Sequence, residues 1–125
     1  MHKQICELNE IEGVKIILYV EHTVDANDLP TSLWRFCNNL DPKRDHHLCK
    51  RPNPDSYFAC MGFDGTRKTK ELDDFQRDWP NIIVADDETM KAVDEKWNEL
   101  GIGAFISSPS LKFKGQMYGE EAAVK

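Results

Sequence analysis

Three groups of side chains in this 125-residue sequence are of types that do chemistry at neutral pH. The first is a set of soft ligands in the middle of the chain: Cys37, His46, His47, Cys49 and Cys60. Structural zinc takes two ligand pairs, each spaced by two to four residues, because a short loop must bring both onto one ion. Only His47 and Cys49 stand that close, and strand alternation would place both on one face. Cys37 falls on the apolar stripe of an expected helix, where a free thiol behaves as a small hydrophobe. On spacing, then, no metal site is expected, and no histidine is fixed beside a thiol for nucleophilic chemistry. The second group is the 22 carboxylates. Asp25, Asp28, Asp86 and Asp87 sit where helices start, Asp41 precedes a proline, and Asp73-Asp74 and Glu120-Glu121 belong to polar stretches. General acid–base work needs two carboxylates converging on a pocket, and none is singled out by spacing. The third is Gly62-Phe63-Asp64-Gly65-Thr66-Arg67-Lys68, where glycines stand beside cations and a hydroxyl. Such a loop suits an anion, but it lacks the Gly-Lys-Ser/Thr order of a phosphate loop. A polar connector is the simpler reading.

The elements that must position these groups are readable from periodicity. Val14 to Val20 follows Gly13, is branched and aromatic, and is apolar on both faces, which predicts a strand buried on both sides. A helix follows, capped by Asn27 or Asp28 with Pro30 in its first turn. Leu29, Leu33, Phe36, Cys37 and Leu40 recur on it at helical spacing, and Asp41-Pro42 stops it. His46 to Cys49 reads as a short strand ended by a turn at Pro52-Asn53-Pro54-Asp55. Tyr57 to Met61 reads as a further strand closed by Gly62, and Asp64 to Trp79 mainly as loop. Ile82-Ile83-Val84 makes another short strand. A second helix is capped by Asp86, buries Met90, Val93, Trp97 and Leu100, and stops at Gly101. The pattern predicts an α/β domain over residues 1–106: a small, mostly parallel sheet flanked by two main helices. Residues 107–125 lose periodicity and are expected to be a C-terminal extension, disordered or docked on a partner subunit through Phe113, Met117 and Tyr118.

Composition sets the class. A chain of this length is one ordinary domain, and a 40% hydrophobic content with 10% aromatics argues against wholesale disorder. A net charge of -6 argues against nucleic acid or an anionic membrane as partner. The longest apolar run, Ile16 to Val20, is far too short for a membrane span. No signal peptide opens the sequence, so the four cysteines read as reduced thiols of a cytoplasmic protein.

As a string, the middle of the chain is more specific than its composition. Val14 to Val20, then Val24-Asp25-Ala26-Asn27-Asp28, a helix with Leu33-Trp34, and Asp41-Pro42-Lys43-Arg44-Asp45 resemble the C-terminal domain of UbiD-family decarboxylases. That family shows an apolar strand ending in an acidic Val-Asp stretch, a helix with a central tryptophan, and a closing Asp-Pro-x-Arg-Asp. Met61 to Lys68 resembles its Met-Gly-x-Asp-Ala-Thr-x-Lys segment, Arg77-Asp78-Trp79 its Arg-Glu-Trp, and Trp97-Asn98-Glu99-Leu100 its terminal Trp-x-Glu-Leu helix. The likeness runs in order from Val14 to Gly101. It departs at Glu21-His22-Thr23, at Asn38-Asn39, where the family has Thr-Arg, and at Gly65, where it has alanine.

The resemblance implies a carboxy-lyase acting on aromatic or unsaturated acids, such as 3-octaprenyl-4-hydroxybenzoate in ubiquinone synthesis. It implies prenylated FMN with manganese or magnesium and potassium as cofactors of the complete enzyme. The family's flavin-binding part and its catalytic residues lie upstream of the matched region. No catalytic residue is therefore expected in this chain, no cofactor is expected on it alone, and the rest of the polypeptide and further copies in a homo-oligomer are its expected partners. Within the chain, Thr66, Arg67 and Lys68 are the candidates to face substrate or cofactor, while Asp25, Asp28, Arg44, Asp45 and Asp64 are expected to be structural. A stand-alone α/β binding or regulatory module without catalysis is the alternative, separated from the first by the length of the reading frame.

Overall fold

The computed structural model describes residues 1–50, 59–76 and 79–125. The turn expected at 52–55, the start of the strand expected from Tyr57, and Arg77-Asp78 lie outside the described residues. The chain is an α/β protein, and it divides into two compact units, Met1–Asp78 and Trp79–Lys125.

The first unit begins with a short helix, α1 (His2–Cys6), and then strand β1 (Ile16–Tyr19). Helix α2 (Leu29–Asn39) follows. Its first turn is capped by Asp28, which accepts the Thr31 amide, and Pro30 occupies a position where no backbone donor is needed. Strands β2 (His46–Cys49) and β3 (Cys60–Asp64) complete a three-stranded sheet in the order β1-β3-β2. Here β1 and β3 run parallel and β2 runs antiparallel to β3. One further turn of helix, α3 (Lys70–Asp73), is capped by Thr69 inside the stretch expected to be loop.

Register sorts the side chains, because directly paired residues share a face. Ile17, His47 and Gly62 are aligned, as are Cys49 and Cys60. With Tyr19, these residues make one face, and α1 lies against it through a hydrogen bond from His2 to Tyr19. Ile16, Leu18, Leu48, Met61 and Phe63 make the other face, on which Phe36 of α2 meets Phe63 edge-on at 6.1 Å.

Three expectations are corrected here. The strand expected to be buried on both sides is covered on one: Ile16 is 60% exposed, because β1 is an edge strand and α2 reaches only the Phe63 end of its face. Gly62 does not end its strand but sits inside it. A Cβ there would overlap the His2 ring, standing 2.9 Å from Cγ, so the close approach of α1 requires glycine. Helix α2 is inverted relative to its apolar stripe. Leu29, Leu33, Trp34 and Cys37 are exposed, whereas Thr31, Arg35 and Asn39, spaced by four, are its buried residues.

The second unit has its own core of Ile82, Val84, Met90 and Ala122. Strand β4 (Val84–Ala85) leads into helix α4 (Asp87–Leu100), whose first turn is capped by Asp86 accepting the Thr89 amide at 2.7 Å. The helix ends at Gly101. Of its expected stripe, Met90 is buried while Val93 and Leu100 are exposed. Residues 107–125, expected to be disordered or docked elsewhere, are ordered within this unit. They form α5 (Ser110–Phe113), two 3-10 turns and β5 (Ala123–Val124), which pairs in parallel with β4. The Ser110 hydroxyl accepts the Ala85 amide and the Val124 carbonyl accepts the Asp86 amide, so backbone groups of the β4 region find their partners in the C-terminal segment. The expected boundary at 106/107 thus falls inside the second unit. No helix among the described residues is long and apolar enough to cross a membrane.

Candidate functional site

The buried polar face of α2 and the loop after β3 meet in one network. Arg35 and Glu21 form an ion pair at 2.5 Å in which both side chains are buried. The Asn39 amide donates to Glu21 Oε1 at 3.1 Å and to the Gly65 carbonyl at 3.0 Å. Lys68 is 1% exposed; its ammonium donates to the Asp64 carbonyl at 2.9 Å and lies 3.1 Å from Asp45 Oδ2. Asp45 also accepts from Arg44 Nε at 2.8 Å and from the Asp41 amide at 2.8 Å. Asp64 Oδ1 accepts the Thr66 amide at 2.9 Å and the Thr66 hydroxyl at 2.5 Å. Burying this much charge costs several kcal/mol per ion unless each is paired and hydrogen-bonded, and here the partners are supplied. Burial acts to raise the Asp45 carboxyl, but the bonds from Arg44, the Asp41 amide and Lys68 outweigh it and hold it below the usual carboxylate range. Asp64 is lowered in the same way, with the Thr66 hydroxyl and amide opposing burial.

Each candidate residue can now be placed. Thr66 and Lys68 direct their polar atoms inward, onto Asp64 and Asp45. Arg67 is half-buried between them. Asp25 closes a local turn by accepting the Asn27 amide at 2.9 Å, and Asp28 holds the start of α2. Gly65 lets the loop pass close to α2. A Cβ there would stand 2.9 Å from the Phe36 Cα and 3.1 Å from the Tyr19 carbonyl. The Thr66 hydroxyl is engaged by Asp64, and the Lys68 ammonium by Asp45 and the Asp64 carbonyl.

The other face of the sheet carries a second group, which spacing alone had passed over. His2, Cys6 and Cys60 are all buried, and their ligand atoms lie within 4.8 Å of one another. His2 Nδ1 is 2.6 Å from the Tyr19 hydroxyl, and Nε2 is 3.4 Å from Cys6 Sγ. Burial, with the Cys49 and Cys60 thiols as hydrogen-bonding neighbours, pushes the Cys6 thiol up to about 12. A cavity of about 740 Å³ opens beside this group, lined among others by His2, Tyr19, His47, Cys49, Lys50 and Asp64. The signal available in the sequence was His2-x-x-x-Cys6, an i, i+4 pair that one helical turn places on one side.

No protein-family model matches the chain. It is similar to an uncharacterized protein of Aeropyrum pernix, 28% identical over 104 residues that cover 76% of this chain and 21% of that protein. It is also similar to an uncharacterized protein of Aquifex aeolicus, 33% identical over 96 residues covering 70% of this chain and 20% of the other. A third, from Archaeoglobus fulgidus, is 28% identical over 95 residues, again 20% of its length. The chain spans about a fifth of the length of the curated relatives it matches.

Proposed function

We propose that this chain is the C-terminal domain of a UbiD-like carboxy-lyase, a cytoplasmic enzyme that decarboxylates aromatic or unsaturated acids with prenylated FMN, and that it is inactive by itself. The observation that carries the reading is convergence. The Asp-Pro-Lys-Arg-Asp segment and the Met61–Lys68 segment are separate in sequence, yet Asp45 of the one and Asp64 and Lys68 of the other close on one network around the buried Lys68 ammonium. Segments that resemble one family in order also depend on one another in space, as expected if the order reflects a common fold.

Two further features support it. The matched relatives are about five times as long as the region they share with this chain. The Ile16, Leu18 and Leu48 face and the outward side of α2 leave apolar surface for other parts of a longer polypeptide to cover. On this reading the domain's role is to complete the enzyme around the loop from Gly62 to Lys68, with Arg67 the loop's candidate toward an anion. Flavin, manganese or magnesium, and potassium would be held by segments outside this chain. A homo-oligomer is part of the same proposal.

The test is the longer polypeptide that carries this sequence. Purified from cells that make prenylated flavin, it is expected to retain the flavin and release carbon dioxide from an aromatic or unsaturated acid, while the 125-residue chain does neither. A reading frame holding this domain alone, or a longer protein that keeps no flavin and turns over no acid, overturns the proposal.

A further inference from the structure

We propose that His2, Cys6, Cys49 and Cys60 form a four-coordinate site for a zinc-class divalent cation on the α1 side of the sheet. Three observations lead to it, all independent of the decarboxylase reading.

The first is convergence of ligand types. The four residues come from α1, β2 and β3, and the register of β2 on β3 makes Cys49 and Cys60 direct neighbours on the face that α1 covers. Around four-coordinate zinc, with Zn–S near 2.3 Å and Zn–N near 2.0 Å, ligand atoms stand roughly 3.5–3.8 Å apart. His2 Nε2 and Cys6 Sγ are 3.4 Å apart, and the Cys60 sulfur lies within 4.8 Å of both. Cys49 supplies the fourth position, being the remaining thiol beside Cys6 and the one that faces the cavity.

The second is the histidine's orientation. A metal-bound imidazole directs its other nitrogen to an oxygen partner that fixes ring and tautomer. With Nδ1 protonated and donating to the Tyr19 hydroxyl at 2.6 Å, the Nε2 lone pair points toward Cys6. Gly62 makes room for that ring, since a Cβ would overlap it.

The third is chemical. Three thiols and an imidazole, with His2, Cys6 and Cys60 buried and Cys49 at the edge, form a soft donor set, which selects zinc-class cations over calcium or magnesium. Ligation replaces each S–H by an S–metal bond and releases the proton to solvent, with no change of oxidation state. Lys50 lines the adjacent cavity and places positive charge near a site whose three thiolates exceed the cation's charge by one.

The test uses the full chain without a histidine tag, purified without chelator. One zinc per chain is expected by elemental analysis, and cobalt(II) substitution should give tetrahedral d–d bands with thiolate charge-transfer absorption. Cys49→Ser, at the accessible edge of the site, should lower zinc affinity about 100-fold and remove about a third of the charge-transfer intensity. Tyr19→Phe should lower affinity about tenfold with the stoichiometry unchanged. Cys37→Ser, on the exposed side of α2, should change nothing. A folded chain that holds no zinc or cobalt at micromolar metal overturns the proposal. So does a thiol count revealing a disulfide among Cys6, Cys49 and Cys60, or a Cys49→Ser variant that binds zinc as tightly as the parent. These readouts concern metal alone, so failure to decarboxylate leaves them unaffected.

Discussion

Replacing Lys68 with methionine keeps the length of the buried stem and removes only the ammonium. Asp45, with a side chain 7% exposed, would then lose one of its charge partners at 3.1 Å. Stranding one member of a buried ion pair costs about 3–5 kcal/mol. Asp45 would keep Arg44 at 2.8 Å and the Asp41 amide at 2.8 Å, so the lower end applies, about 3 kcal/mol. That is roughly a hundredfold in the folding equilibrium. For a unit of this size it lowers the midpoint of thermal unfolding by about 10–20 °C. The assay is amide exchange at Met61 and Asp64, whose amides bond to the Lys15 and Asp45 carbonyls and so report on the first unit. Adding Asp45→Asn should recover at least about 1 kcal/mol, because the stranded charge is gone. The sign with pH follows from linkage. Asp45 and Asp64 are held below the usual carboxylate value, so their contribution is full above about pH 4 and is lost as pH falls through the folded values. The Lys68→Met deficit should therefore shrink below that range. A loss under about 1 kcal/mol at neutral pH, or one that grows on acidification, refutes the account of Lys68 as a structural cation.

Further outcomes follow from other contacts. Gly65→Ala, which brings in the family's residue, should destabilise the first unit by about 1–3 kcal/mol in urea unfolding, because the new Cβ meets the α2 backbone. Asp28→Ala should cost about 1 kcal/mol by removing the cap of α2, again read in urea. Deleting residues 119–125 should speed exchange of the Asp86 amide, which bonds to the Val124 carbonyl, and leave Met61 and Asp64 unchanged.

What could be read in the sequence was what local chemistry decides. The Asp28 and Asp86 caps, Pro30 in the first turn and the apolar string of β1 each act within a few residues, and each element formed where they lie. Burial was not legible. Leu29 and Leu33 carry a helical stripe, yet Arg35 and Asn39 take the inside because Glu21 and the Gly65 carbonyl, remote in sequence, are there to receive them. Pattern rules rank side chains by transfer from water, and a polar side chain whose partners arrive from other segments escapes that ranking. The same holds for the α1 face. Cys49 and Cys60 become neighbours only through strand register, and His2 joins them only because position 62 has no side chain. Residues 107–125 lacked periodicity because their order comes from single bonds, such as the Ser110 hydroxyl to the Ala85 amide, and not from a repeating face.

The parallel pairing of β4 with β5 has a consequence for how the chain is made. Every strand pairing described in the first unit is complete once Asp64 has left the ribosome. The second unit differs, since Val84 pairs with Ala123 and the closing strand is synthesised about 40 residues after its partner. At roughly 5–20 residues per second, β4 and the capped start of α4 wait several seconds with their backbone partners still missing. During that interval Ile82, Val84 and Met90 lack the Ala122 side of their core, so the second unit closes later than the sheet of the first.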